Sequence, residues 1–188
     1  MLRATELQNQ NHSIVRLEVG QPNFLTPSHI IDSTIAALRE NKTSYIPNAG
    51  LTELRQAISE HYTHQGIETV NSQIIVTSGS MLSMYSLFIA LLSPGDECLL
   101  PLPGFGNYQQ ISSMVRAKAI PYLCRPSDGY LPQMEEIELL ISERTKCIVI
   151  CNPGNPTGAV YPPSLLQSII ELCQRRGVFV ISDGEMNP

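Results

Sequence analysis

Dense apolar runs recur along most of this chain at nearly even spacing. From residue 73 onward they fall at 73–77, 97–101, 119–123, 146–151 and 178–182, each short enough for one strand. Between them the apolar positions shift to helical spacing, over 80–92, 107–117, 132–142 and 163–176. Ser93-Pro94-Gly95-Asp96 punctuates the first of these helices and Gly177 closes the last, as expected where glycine ends a helix. Strand and helix in alternation predict a three-layer α/β fold, a mostly parallel sheet with helices on both faces.

Upstream of this alternation two further helices are expected. Thr26-Pro27 opens one, with Ile30, Ile31, Thr34 and Leu38 on helical spacing, and the other runs over 51–65 to Gly66. A stretch of turn formers at 43–50 separates them. With no internal repeat or linker, the simplest organisation is an N-terminal arm at 1–25 and one domain at 26–188.

Composition narrows the partners. The 188 residues are 43% hydrophobic and 15% charged, an ordinary globular balance, with net charge -5. Arg175-Arg176 is the longest basic run, so nothing marks a nucleic-acid or anionic-membrane partner, and small molecules or another protein are expected. The first 12 residues carry no apolar signal core and the apolar stretch 87–92 is too short to span a bilayer, which leads us to expect a cytoplasmic protein. Five cysteines without a CxxC pair read as buried free thiols. His61 and His64 read as a solvated helix face, and Glu135, Glu136 and Glu138 as another.

In an open α/β sheet, ligands gather at the carboxyl ends of the strands. Four segments are expected there: Ser78-Gly79-Ser80, the loop 102–108, the loop 152–158, and Asp183. Ser78-Gly79-Ser80 leads into a helix whose free N–H groups suit a phosphate, with an ordinary helix cap as the alternative. Phe105 and Tyr108 stand in a loop stiffened by prolines and glycines that could offer an aromatic face, or simply pack in the core. Asn152-Pro153-Gly154-Asn155-Pro156-Thr157-Gly158 concentrates more turn formers than a plain turn requires and reads as a ligand loop. Asp183 is a carboxylate ending a buried strand, suited to holding a protonated ring nitrogen or to a solvated turn. Together the four suit a planar, anionic heteroaromatic ligand.

On these motifs the sequence resembles the class I/II aminotransferase family of fold-type I pyridoxal-phosphate (PLP) enzymes. The supporting residues are Asn152-Pro153-x-Asn155-Pro156-Thr157-Gly158, Tyr45-x-Pro47-x-x-Gly50-x-x-x-Leu54-Arg55, Thr77-Ser78-Gly79-Ser80, Pro94-Gly95-Asp96-Glu97, Pro101-x-Pro103-x-Phe105-x-x-Tyr108 and Ile181-Ser182-Asp183. The resemblance implies that the amides around Gly79, Ser80 and Met81 cradle the cofactor phosphate and that Phe105 stacks on its pyridine ring. It implies further that Asn155 bonds the 3-hydroxyl, Asp183 pairs with the ring nitrogen, Tyr45 reaches the phosphate of a neighbouring subunit in a homodimer, and Gly20 lies near the substrate carboxylate. An amino acid and a 2-oxo acid would be the substrates.

The sequence departs from that pattern after Asp183, reading Gly184-Glu185-Met186-Asn187-Pro188 where the family has Glu-x-Tyr. The Schiff-base lysine and the C-terminal small domain are expected to be absent, leaving an incomplete PLP-binding large domain in 26–188. The lysines present are Lys42, Lys118 and Lys146, the last two at the amino ends of strands, about 15 Å from the expected site. The expectation is therefore a truncated aminotransferase relative, inactive by itself. Alternatives are a non-catalytic module that binds PLP or pairs with a full-length homologue, and a PLP-dependent lyase or decarboxylase relative.

Overall fold

The structure is a computed structural model that describes residues 2–10, 12–16, 20 and 23–184. The chain divides into two compact units, Met1–Pro47 and Asn48–Pro188. The first unit holds helices α1 (Leu2–Asn9) and α2 (Ser28–Arg39). Helix α1, which the polar sequence did not suggest, buries no residue and carries an Arg3–Glu6 pair one turn apart. Helix α2 follows Pro27 as expected and ends at Arg39, with Glu40 as its cap.

The second unit begins with α3 (Thr52–His64) and α4 (Ser80–Leu91), then alternates β1 (Glu97–Leu102), α5 (Asn107–Met114), β2 (Lys118–Leu123), α6 (Met134–Leu140), β3 (Thr145–Cys151), α7 (Pro163–Arg176) and β4 (Phe179–Asp183). All three strand pairings are parallel, in the order β2-β1-β3-β4. Strand β3 lies inside the sheet and is buried on both faces, which is why its sequence is a continuous apolar run rather than an alternation. Cys147, Val149 and Cys151 join Cys98, Leu100 and Ile181 under α4 and α5, with Met84, Phe88, Tyr108 and Ile111. Ile148 and Ile150 face the opposite layer, with Leu99, Tyr122, Ile137, Ile169 and Leu172 under α6 and α7.

Two expectations need correction. Residues 73–77 form no strand: Gln73 ends a short 3-10 turn, Ile74 is extended, and the segment's backbone N–H tie to a neighbouring segment is Val76 N–H to Ala49 O at 3.0 Å, with none of the ladder bonds of a strand. Ile75 is 70% exposed, and an extended segment with no described strand alongside it has no ladder to join. Among the described residues the sheet therefore has four strands where five were predicted, and Ser78-Gly79-Ser80 follows a loop. Helix α5 also stops at Met114, short of 117, because Arg116 adopts φ 60 and turns the chain into β2.

The sheet's two margins differ. Edge strand β2 carries Pro121 at mid-strand, which lacks an N–H and blunts that side. At the other margin β4 pairs with β3 and with no further described strand, and its Phe179 is 60% exposed. All five cysteines are free and buried. Burial pushes the Cys124 thiol up and the Cys173 thiol to about 11, while a contact with Cys98, then burial, raises Cys147. Among the described residues no helix is long and apolar enough to cross a membrane.

Candidate functional site

Parallel pairing sends the carboxyl ends of β1, β3 and β4 to one edge, and with them the loop 103–106, the loop 152–158 and Asp183. Cys151 and Asp183 are register partners on β3 and β4, on the face covered by α5. From α5 the phenol of Tyr108 donates to Asp183 Oδ2 at 2.5 Å. Tyr108 is 1% exposed, and burial first, then the bond to Asp183, holds its hydroxyl far above the ordinary phenol range. Both causes favour the protonated phenol, the form that donates to the carboxylate. The two readings of Tyr108 resolve toward the core: its ring packs beneath α4, while its hydroxyl serves the edge.

Phe105 is half-buried beside it, edge-on to Tyr108 with ring centroids 5.7 Å apart. Gly104 is required one residue earlier, since a Cβ there would lie 2.2 Å from the Pro101 carbonyl oxygen. A cavity of about 160 Å³ lined by Leu100, Phe105, Ala119 and Pro121, among others, opens on the Phe105 flank, so the ring is not closed in on every side.

The loop 152–158 is held by its own backbone and by its base. Gly154 N–H donates to Ala159 O at 2.8 Å and Gly158 N–H to Gly154 O at 2.6 Å. At the base, Tyr161 N–H donates to Asn152 Oδ1 at 2.8 Å and Asn152 N–H donates to Asp183 O at 3.2 Å. Asn155 sits half-buried within the loop so closed.

The fourth element is the start of α4. Gly79, at φ 89, is the cap, and among the described residues no side-chain cap bond is made to the first turn. Thr77 Oγ1 bonds both Gly79 O and Ser83 Oγ and fixes the approach to the helix. Gly79 and Ser80 are exposed, and Met81 packs on the same apolar cluster as Phe105. An uncapped helix N-terminus, an aromatic ring, a loop amide and a carboxylate fit an anionic, planar ligand with a basic ring atom.

Tyr45 and Gly20 belong to the first unit and are exposed there, Tyr45 fully. The residues flanking Gly20, and residues 185–188 where the pattern departs, lie outside the described residues. Lys118 and Lys146 stand at the amino ends of β2 and β3, opposite the edge just described, and Lys42 in the first unit pairs with Glu40 at 2.7 Å. Two motif residues outside the four segments prove to be packing devices. Arg55 ties α3 to the Asn71 and Ile74 carbonyls, and a Cβ at Gly50 would collide with Val76. Sequence reasoning missed the Tyr108–Asp183 bond and the double role of Asn152. The available signal was the placement of Tyr108 in the first turn after Phe105, where a helix returning onto the sheet aims it at the strand ends.

The family described as aminotransferase class I and II matches residues 12–184. A probable aspartate/prephenate aminotransferase of Aquifex aeolicus is 38% identical over 96% of this chain and 46% of its own length. A probable N-acetyl-LL-diaminopimelate aminotransferase of Bacillus subtilis is 36% identical over 95% of this chain and 46% of its own. Among solved structures, a single mutant of the Thermus thermophilus aspartate aminotransferase superimposes with a TM-score of 0.94 at 34% identity, covering 97% of this chain and 48% of that one. The chain thus spans about half the length of the curated relatives it matches.

Proposed function

The chain belongs to the class I and II aminotransferase family, and we propose that it supplies the cofactor-binding part of an amino-acid aminotransferase acting on an amino acid and a 2-oxo acid. The reading is carried by the convergence of Phe105, the Asn155 loop and Asp183 at one strand edge, with Tyr108 donating to Asp183. When bound, PLP supplies a ring that withdraws electrons from the substrate. The residues then divide the work. N–H groups at Gly79, Ser80 and Met81 hold the phosphate, Phe105 stacks on the ring, and Asn155 bonds the 3-hydroxyl. Asp183, oriented by Tyr108, holds the proton on the ring nitrogen. Tyr45 contributes to the phosphate site of a second subunit in a homodimer, and Gly20 lines the substrate carboxylate. Residues 26–188 are on this reading part of the PLP-binding large domain, and 1–25 an arm.

Lys118 and Lys146, at the amino ends of β2 and β3, stand at the far edge of the sheet from this site, and Lys42 is paired with Glu40 in the first unit. This favours, as a second reading for these 188 residues by themselves, a non-catalytic module that binds PLP or pairs with a complete homologue. Titration of the protein with PLP followed by borohydride tests both. Saturable binding without a pyridoxyl label is expected, with Asp183→Asn weakening it about tenfold, the value of one charge-assisted bond. A label on Lys42, Lys118 or Lys146 would overturn the lysine argument, and no saturable binding would overturn the cofactor site.

A further inference from the structure

We propose that Asn152 is a positioning residue that sets Asn155 and Asp183 in one frame, so that contact with the cofactor's 3-hydroxyl depends on a side chain that does not itself touch the ligand. The inference rests on the reading of the site given above. Asn152 is where two constraints meet. Its backbone N–H donates to the carbonyl of Asp183 at 3.2 Å, joining the loop to the last residue of β4. Its carboxamide oxygen accepts from Tyr161 N–H at 2.8 Å, closing the ten-residue segment 152–161. Its other backbone-to-backbone bonds run within the segment, between Gly154, Gly158 and Ala159, and at its base Cys151 Sγ donates to Pro153 O at 3.4 Å.

The far side of the closure is rigid. Tyr161 is buried, with its hydroxyl 3.4 Å from Cys124 Sγ in the core beneath α6 and α7. The Asn152 carboxamide therefore ties a loop presented at the sheet edge to a ring fixed in the layer below, and Asn155, three residues on, inherits that position. Loss of the acceptor leaves the Tyr161 N–H without this partner and releases that end of the segment, while the backbone bond from residue 152 to Asp183 O remains. The start of α4, which would hold the phosphate, shares none of these bonds.

This separation makes the proposal testable by ligand choice rather than by activity. The affinity of the protein for PLP, for its 3-O-methyl ether and for inorganic phosphate would be measured by calorimetry. The unmodified protein is expected to prefer PLP over the ether about three- to tenfold, the value of one hydrogen bond. Asn152→Ala should erase that preference to within about twofold and leave phosphate affinity unchanged. Asn152→Asp keeps an acceptor of the same length and should retain the preference. The proposal is overturned if Asn152→Ala keeps the preference, if it loses phosphate affinity in parallel, or if Asn152→Asp loses the preference as Asn152→Ala does. Failure of the unmodified protein to bind PLP, or to distinguish it from the ether, would instead bring down the functional reading and this inference with it.

Discussion

At the amino ends of the strands the chain turns with charged side chains in water. Glu97 accepts from Ser142, Lys146 Nζ donates to Glu143 O at 3.2 Å, and Lys118 and Arg144 are exposed. At the carboxyl ends of β1, β3 and β4 the polar atoms are mostly uncharged, half-buried and held by backbone or core: Asn152 by Tyr161, Gly154 by Ala159, Asp183 by Tyr108. Charges in water tolerate small displacements at little cost, whereas a buried network loses its geometry with one partner. The two ends should therefore differ in how sharply they respond to the same kind of change.

The largest response is expected from Gly104→Ala. A Cβ placed 2.2 Å from the Pro101 oxygen forces the backbone of the Phe105 loop to move. Urea unfolding should show a loss on the order of 3 kcal/mol, and an unchanged midpoint would show that this loop is not held as described. Next comes Tyr108→Phe, which removes the donor to Asp183 and should cost about 1–3 kcal/mol. If Asp183 is indifferent to that hydroxyl, the contrast between the two ends narrows.

Alkaline titration gives a smaller and more distributed effect. Burial raises the Tyr108, Tyr122, Tyr161 and Cys124 values in the folded chain, from ordinary values of 10.0 for phenols and 9.0 for thiols. Above those ordinary values the unfolded chain releases protons that the folded chain keeps, so unfolding is favoured as pH rises. Thermal stability should be level from about pH 6 to about pH 9 and fall above that, and Tyr108→Phe should make the fall shallower. The smallest effect is assigned to the amino end: Glu97→Gln and Lys146→Met should each shift unfolding by less than about 0.5 kcal/mol and leave PLP affinity unchanged. A shift comparable to that of Tyr108→Phe would break the comparison.

The same contrast explains what the sequence made legible. Strands β1 to β4 and helices α3 to α7 follow from patterning, because burial on both faces of a parallel sheet writes itself as apolar runs of strand length. The segment 73–77 has the composition of a strand and none of the pairing, since a strand is defined by its neighbour and no residue of its own reports whether one is present. The loop residues Asn155, Phe105 and Asp183 stood out because turn chemistry and a lone carboxylate are visible in order along the chain. Tyr108 reaching Asp183 across 75 residues, and Asn152 joining Tyr161 to β4, depend on register and on how α5 returns to the sheet. Neither quantity is encoded locally.

Pro121 gives the sheet a direction in time as well as in space. During synthesis β1 emerges first and takes an interior place; β2 is laid beside it and, lacking an N–H at its midpoint, seals that flank. β3 is then added on the other flank of β1, skipping β2, and β4 on β3. The margin completed first is thus the one with a proline in its edge strand, and growth continues at the other.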